Sequence, residues 1–322
     1  MRRMIAARLK REDGVVAVIV AVAMVVLLGA AAFTVDIGSI YAERTQLQNG
    51  ADAAAIAVAQ GCAAGVCGNM QATAQNLANR NSNDGASNVS VDLPQSNQVH
   101  VKTWTRDAVT GAGALNLAFA PVLGTKTATV AAEATAGWGS PASGPADVAL
   151  AFAPCVFQLT GIIQVIGFAG SGVNNCLGVS PSGAILPGGF HWLADPTNTC
   201  SSQASTTTGA TNGSTGVSAS GACGDKLAGL ADRVVLLPVY SDMHGVGSGA
   251  TFTINGWAAF KLLGWNFVGS GGSSYNNKTY PGATCSGSCK GLIGQFISFV
   301  SLDTRFTTGG PNLGASLVTL TK

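Results

Sequence analysis

An uncharged apolar run dominates the pattern of hydrophobic and polar positions near the start of the chain. It extends from Gly14 to Val35 and contains neither a charged residue nor a proline. About twenty apolar residues, at a rise of roughly 1.5 Å each, span the hydrocarbon core of a bilayer. The run therefore predicts a transmembrane helix over residues 14–35, with Gly14, Val22, Leu28 and Val35 spaced along this membrane anchor.

A helical period continues beyond the apolar run, through residues 37–60. Apolar and small residues recur there at three- and four-residue steps, alanine is abundant, and no proline interrupts the segment. The pattern predicts one continuous helix of about 45 residues, roughly 70 Å long. Two arrangements stay open for its alanine-rich face: this face meets another helix outside the chain, or a kinked helix packs its outer half on its own domain.

Short alternations of apolar and polar residues follow, and these are typical of strands. Residues 89–93 and 99–104 predict a hairpin, and a strand at 127–138 extends it into a small sheet beside the helix. Many glycines and few charges after residue 145 favour a β-rich domain with long loops. Its expected core strands cover residues 234–240, 251–263 and 292–302.

These elements predict an α+β fold: a transmembrane helix that continues into a long Ala-rich helix with a small antiparallel sheet, followed by a disulfide-containing β-rich domain. A second uncharged run at 148–170 contains Pro and Gln, which favours a buried strand and helix over a second span. The stretch 139–145, rich in Gly, Pro and Ser, predicts a domain boundary. The expected parts are a basic tip at 1–13, the anchor at 14–35, an outer module at 36–139 and the β-rich domain at 140–322.

Five of the seventeen Lys and Arg residues lie before the apolar run, in the basic tip. No comparable cluster follows Asp36, so the positive-inside rule predicts a single pass of the bacterial cytoplasmic membrane, with the tip in the cytoplasm and the other domains outside. The rest of the chain is nearly neutral, which argues against binding of nucleic acid. Two kinds of processing stay open: a signal peptide cut after the alanines at 30–32, and a prepilin-type leader cut after Gly14, although Ile19 replaces the usual Glu.

All eight cysteines follow the apolar run, and an even number on one side of a membrane segment favours disulfides in an oxidising compartment. Short spacing favours Cys62 with Cys67 and Cys285 with Cys289. A Ser/Thr/Gly-rich loop at 201–222 lies between two further cysteines. Zinc is disfavoured, because the spacing is not Cys-x-x-Cys and no His is near. The disulfide candidates are Cys62, Cys67, Cys155, Cys176, Cys200, Cys223, Cys285 and Cys289.

The sequence lacks the common enzyme motifs, including a Gly-Lys-Ser/Thr phosphate loop and a His-Glu-x-x-His zinc helix. His191, Asp195, Asp242 and His244 would form a cluster only if the fold brought them together, and ordinary loop hydrogen bonds are the preferred interpretation. A set of aromatic residues favours a buried core over a carbohydrate- or surface-binding patch. These residues are Phe190, Trp192, Trp257, Phe260, Trp265 and Phe267. We expect no catalytic residue, metal, cofactor or small-molecule substrate.

The residues after the anchor combine an Asp-hydrophobic-Gly step with Tyr-x-x-Arg-x-x-Leu-Gln-Asn-x-Ala-Asp-Ala-Ala-Ala. This combination resembles the N-terminal module of TadE/TadG-like Flp (tight adherence) pilus-assembly proteins, with Gly50 where Ala is usual. The matching residues are Asp36, Gly38, Tyr41, Arg44, Leu47, Gln48, Asn49, Ala51, Asp52, Ala53, Ala54 and Ala55.

The resemblance implies a non-enzymatic, membrane-anchored component of Flp pilus assembly. It implies that the matching helix is an assembly face, and that the partners are other Tad proteins or pilin subunits. It continues more weakly through residues 115–138, as a strand, a short helix and an Ala-rich strand. A von Willebrand A-type domain is not expected, since the stretch from Asp147 lacks the Asp-x-Ser-x-Ser triplet. The alternative is a secreted or pilus-incorporated adhesive module that uses the C-terminal β domain.

Overall fold

The computed structural model describes residues 13–174, 176–216 and 222–321. The predicted basic tip thus lies outside the described residues, except for Asp13. The chain divides into two compact units. Unit 1 is formed by the residues up to Ala55 together with Asn69–Asp92 and His100–Ala134. Unit 2 is formed by Ile56–Gly68, Leu93–Val99 and the residues from Thr135 onward.

A single helix, α1 (Asp13–Ala63), contains the apolar run and the periodic segment after it. Its 51 residues include no proline and many alanines, which favour helix strongly. At a rise of about 1.5 Å per residue the helix is roughly 76 Å long. The continuous helix predicted from the sequence is confirmed.

A second helix, α2 (Met70–Arg80), belongs to unit 1. Asn69 caps its N-terminus, because the Asn69 side chain accepts a hydrogen bond from the backbone N–H of Ala72 at 2.9 Å. On its flank, the Gln75 side chain donates to the carbonyl of Ser87 at 2.7 Å. The cap and the glutamine fix both the start of α2 and its position against the strand that follows.

Five strands lie between residues 87 and 139 of the described chain. They are β1 (Ser87–Gln95), β2 (Gln98–Thr105), β3 (Leu115–Asn116), β4 (Thr127–Ala128) and β5 (Ala131–Gly139). β1 and β2 form the predicted hairpin, and β2 also neighbours β5 in the same sheet. β3 pairs with β4, and a 3₁₀ turn, Ala120–Leu123, lies between them. The strand, short helix and Ala-rich strand implied by the family resemblance are present.

Unit 2 is rich in strands and contains a short helix, α3 (Ala222–Gly229). The strands are β6 (Pro141–Ala146), β7 (Leu150–Phe152), β8 (Gln164–Gly167), β9 (Leu177–Val179), β10 (Ile185–Pro187), β11 (Phe190–Leu193), β12 (Ser202–Ser205), β13 (Thr211–Ser214), β14 (Val234–His244), β15 (Ala250–Asn266), β16 (Ser274–Tyr275), β17 (Gly291–Ile297), β18 (Phe299–Ser301), β19 (Thr307–Thr308), β20 (Asn312–Leu313) and β21 (Ala315–Leu320). The predicted core strands are therefore confirmed, as β14, β15 and the pair β17 and β18.

The largest sheet of unit 2 is centred on the antiparallel pair β14 and β15. Its strand order is β13-β11-β7-β14-β15-β17-β8, and β13 also pairs with the start of β15. Five strands thereby form a closed ring of pairings. Residues 148–170, the second uncharged run, supply β7, a 3₁₀ turn and β8. The strands β7 and β8 contribute buried residues, whereas residues 158–162 between them are exposed, and the helix that the sequence suggested beside the strand is not formed in this run.

Alternate residues of β14 enter two hydrophobic clusters, as the pleat of a strand requires. Val235 and Leu237 belong to one cluster, whose centre includes Phe152 and Phe296 with ring centroids 5.1 Å apart. Tyr240 belongs to the other. The aromatic residues expected in the core are at most 5 % exposed, which confirms that expectation: Phe190, Trp192, Trp257, Phe260, Trp265 and Phe267.

Four disulfides lie in unit 2, and they use all eight cysteines. The two short-range pairs predicted from spacing are confirmed, and the cysteines that flank the Ser/Thr/Gly-rich loop pair with each other. The disulfides are Cys62–Cys67, Cys155–Cys176, Cys200–Cys223 and Cys285–Cys289. Together with the long apolar helix and the β-rich C-terminal region they confirm the predicted α+β fold class.

Candidate anchoring and assembly module

The first part of α1 presents apolar side chains to the outside of the folded chain. Val22, Leu28 and Val35 are 60 %, 63 % and 53 % exposed, and Gly14 lies within the first turn of the helix. α1 is the helix, among those described, that is long and apolar enough to cross a membrane, and none of its most apolar window is buried. A core helix of a soluble domain would bury these side chains, so the exposed surface fits a lipid environment.

Asp36 ends this apolar surface and is itself only 5 % exposed. Its carboxylate accepts hydrogen bonds from three consecutive backbone N–H groups, those of Ala118 at 2.8 Å, Phe119 at 3.1 Å and Ala120 at 2.5 Å. The carboxylate thus caps the 3₁₀ turn Ala120–Leu123, and these charge-assisted bonds offset the cost of burying it. The motif identified Asp36 in the sequence, but its partners lie more than eighty positions later, without a local signal.

The alanine-rich face of α1 beyond Asp36 is buried inside the chain. Leu47 is 2 % exposed, and Ala51, Ala54 and Ala55 are fully buried. The carbonyl of Leu47 accepts a hydrogen bond from the Thr103 hydroxyl at 2.9 Å. Of the two arrangements left open by the sequence, α1 adopts packing on its own domain, and it does so without a break in the helix. The expectation that these alanines contact a partner is therefore corrected, because no partner can reach them in the folded chain.

Gly50, the departure from the usual motif, lies where α2 approaches α1. A Cβ atom added at Gly50 would lie 3.2 Å from the Cα and 3.5 Å from the carbonyl oxygen of Ala78. Ordinary carbon contacts are longer than 3.4 Å, so even an alanine is tight at this position. Ala74 and Ala78 of α2 are also buried. Small residues on both helices allow their backbones to approach closely.

Polar motif residues fix the helix from the side. The Gln48 amide donates to the Asp52 carboxylate at 2.8 Å, and also to the backbone carbonyl of Glu133 in β5 at 3.1 Å. The first bond is an i, i+4 pair within α1, and the second ties the helix to the sheet. Arg44 is exposed on the helix surface. Gln48 and Asp52 therefore position the helix within unit 1, whereas Arg44 stays available to solvent.

The face of α1 opposite the buried alanines is exposed. Gly38, Tyr41, Ala42, Thr45 and Asn49 recur on it at three- and four-residue steps, and we call these five residues the outer stripe. Tyr41 is 73 % exposed. Nothing described lies within 4 Å of a Cβ added at Gly38. The family motif is thus divided between residues that build unit 1 and residues that the folded chain leaves uncovered.

One helix carries an exposed apolar segment, then a buried aspartate at the end of that segment, and then a buried alanine face. Residues 14–61 match the Putative Flp pilus-assembly TadE/G-like family. The match confirms the resemblance predicted from the motif, and we call residues 14–61 the Tad module. It indicates a part in Flp pilus assembly. Searches of curated proteins and of solved structures found no match to the chain.

A charged bridge lies beside the Tad module in unit 1. His100 Nδ1 lies 3.0 Å from the Asp92 carboxylate, and His100 Nε2 lies 2.9 Å from that of Glu133. The hydrogen bond to Asp92 raises the pKa of His100 above its ordinary value, and the bond to Glu133 adds to this effect. Within the module, burial raises the pKa of Glu43, and the nearby Asp84 carboxylate contributes.

His191, one of the four residues of the cluster considered from the sequence, lies in the interior of unit 2. It is 3 % exposed and faces aromatic rings, with the nearest centroid, that of Phe252, 5.2 Å away. Both ring nitrogens lack a hydrogen-bond partner among the described residues. Burial lowers the pKa of His191 to about 4, so the ring is neutral near pH 7. Such a ring behaves as part of the core.

Of the other three residues of that hypothetical cluster, two contact each other and the third bonds within its own loop. Asp242 and His244 are 3.5 Å apart on β14, with His244 largely exposed. The Asp195 carboxylate accepts hydrogen bonds from the N–H groups of Thr199 and Cys200 in its own loop. Among the described residues, no three His, Cys, Asp or Glu side chains form a group that could hold a metal ion.

An open groove of about 710 Å³ crosses the surface of unit 2 and is lined largely by Ser and Thr hydroxyls. Its cation is Arg305, whose guanidinium lies 2.6 Å from Asp303 and 3.4 Å from Asp147. The charge of Arg305 is therefore paired within the chain.

Proposed function

We propose that this chain is a non-enzymatic component of Flp pilus assembly, held in the bacterial cytoplasmic membrane by a single pass of α1. Its N-terminus lies in the cytoplasm, and units 1 and 2 function outside. The observation that carries the proposal is the Tad module: a family match over residues 14–61, on a helix whose first part is apolar and exposed.

Two independent features support this orientation. Basic residues cluster before the anchor, and such clusters are retained on the cytoplasmic side. Four disulfides follow the anchor, and disulfides persist in oxidising compartments such as the periplasm. Both features support the same direction of insertion.

Assembly contacts are made through the outer stripe, because the alanine face is occupied within the chain. Gly38, Ala42 and Thr45 have small side chains, which permit close approach of a second helix. Tyr41 supplies the large amphipathic side chain that often dominates binding energy at protein interfaces. The partners are other Tad proteins or pilin subunits.

Two matched glycine variants test the function and the contact surface separately. Gly29 and Gly38 lie nine residues apart, which places them on opposite faces of α1, and nothing described lies within 4 Å of a Cβ added at either. A strain without the gene is complemented with wild type, Gly29→Leu or Gly38→Leu, and surface pili are counted at equal protein levels. We expect no pili without the gene, full rescue by Gly29→Leu, and about ten-fold fewer pili with Gly38→Leu, which corresponds to a loss of about 1.4 kcal/mol of contact energy.

The outcomes separate the two parts of the proposal. Normal piliation of the deleted strain would show that the function is wrong. Full rescue by Gly38→Leu would be consistent with a role in pilus assembly, but it would show that the outer stripe is not the contact surface. A loss with both variants would mean that the added bulk, rather than its position, is responsible.

Intact mass and the N-terminal sequence of protein from washed membranes test the anchor. A chain that still carries Arg2 to Asp13 supports the proposal. A start near Phe33, with release from membranes, would identify a secreted adhesive module. A start at Val15 would identify a pilin-like subunit that joins the fibre.

A further inference from the structure

A turn of apolar residues lies beside the end of the membrane anchor. The Asp36 carboxylate bonds directly to the backbone of Ala118, Phe119 and Ala120. Asp36 is also the first charged residue after the apolar run. If α1 spans the membrane, as proposed above, this turn lies within one side-chain length of the point where the helix leaves the hydrocarbon.

The side chains of this turn suit lipid better than water. Residues 117–124 read LAFAPVLG and carry no charge, and the exposed side chains include Phe119 at 46 % and Val122 at 89 %. Lys126, just beyond the turn, is exposed and can reach lipid phosphates. Exposed aromatic and aliphatic side chains close to a basic residue in the sequence are a combination found at membrane interfaces.

Backbone N–H groups of the turn are hydrogen-bonded within the chain, so they do not depend on water for a partner. The N–H groups of residues 118–120 donate to the Asp36 carboxylate. In addition, the N–H of Leu117 donates to the carbonyl of Lys126 at 3.0 Å, and that of Val122 donates to the carbonyl of Phe119 at 3.1 Å. Pro121 has no N–H. Every N–H from residue 117 to residue 122 is thus bonded within the chain. An unbonded backbone N–H group adds to the cost of placing an irregular turn at a bilayer, and for these residues that part of the cost is lowered.

We infer that residues 117–124, the amide-clamped turn, insert into the interfacial layer of the lipid leaflet beside α1. Phe119 and Val122 enter the acyl boundary, and the buried Asp36 carboxylate holds them at that depth. The turn lies on the face of α1 opposite the outer stripe, so a protein partner and the lipid do not compete. This inference rests on the anchoring part of the proposed function.

Photolabelling of the full-length protein in vesicles of phosphatidylethanolamine and phosphatidylglycerol tests the inference. The vesicles carry a phospholipid with a diazirine on the acyl chain near the headgroup. Trypsin releases the turn in one peptide, 107–126, the anchor in 12–44, and strands of the unit 2 core in 234–261. We expect label on the turn and on the anchor, and background label on the core strands.

Two exposed valines provide matched variants. Val122→Asp should reduce labelling of the turn about ten-fold, because a carboxylate is costly in the acyl layer, whereas Val109→Asp, at a residue that is 94 % exposed in the preceding loop, should leave it unchanged. Background label on the turn with a labelled anchor would overturn this inference alone. Background label on the anchor would overturn the membrane anchor and the inference with it.

Discussion

Replacement of Gly50 measures how closely α2 packs on α1. Gly50→Ala gains about 1 kcal/mol of helix propensity, but its new carbon lies 3.2 Å from the Ala78 backbone, so we expect a net change near zero. Gly50→Leu adds three further carbon atoms beyond the Cβ, which already lies in tight contact with the Ala78 backbone. Overpacking of this kind lowers the free energy of unfolding by about 3 kcal/mol at the upper end of its usual range. The higher helix propensity of Leu offsets somewhat less than about 1 kcal/mol of this loss. The net loss is about 2 kcal/mol.

Hydrogen exchange of the α2 amides, Met70–Arg80, in the full-length protein reports this loss as a change in local opening. A loss of about 2 kcal/mol raises the opening equilibrium roughly thirty-fold. Gly38→Leu is the control, since its added side chain meets open space and should preserve protection or improve it. Equal protection of α2 in Gly50→Leu and Gly38→Leu would refute the close contact and the explanation of Gly50 with it.

Two further predictions concern pH. The pKa of His100 is raised by Asp92 and Glu133, so its bridge stabilises the fold fully below the unfolded pKa of about 6.5 and loses this contribution as pH rises through the raised value. The unfolding midpoint of His100→Gln should therefore show a smaller drop between pH 6 and pH 9 than that of wild type. The pKa of His191 is lowered to about 4, so about 3 kcal/mol of stability is lost as pH falls from about 6.5 through 4. His191→Leu should remove this acid sensitivity in denaturant titrations and should stabilise the protein at neutral pH; an unchanged acid response would contradict the burial of a neutral ring.

The sequence was most informative where a pattern repeats. The apolar run and the alanine steps predicted α1, since a helix imposes one period on fifty consecutive residues. The core strands of unit 2 were also predictable, because uncharged apolar runs such as 234–240 and 292–302 have few alternatives in a β-rich chain. The short cysteine spacings predicted two disulfides for a similar reason: nearby cysteines are the easiest to join.

Contacts between distant positions could not be predicted in the same way. Nothing near Asp36 indicates that its carboxylate receives N–H groups from residues 118–120, because one carboxylate can accept from any exposed amide. The alanine face showed the same ambiguity. A small-residue face packs equally well on a partner or on the same chain, and only the position of α2 and of Thr103 distinguishes the two outcomes.

The unbroken course of α1 through Asp36 has a consequence for rotation about the helix axis. Each residue turns the helix by about 100°, so the eleven steps from Asp36 to Leu47 set one fixed angle between the turn that Asp36 binds and the buried face of α1 in unit 1. The outer stripe shares that angle. A partner that binds the outer stripe would therefore always meet unit 1 at the same angle about the helix axis. The rigid helix α1 thus fixes how unit 1 is rotated relative to that partner.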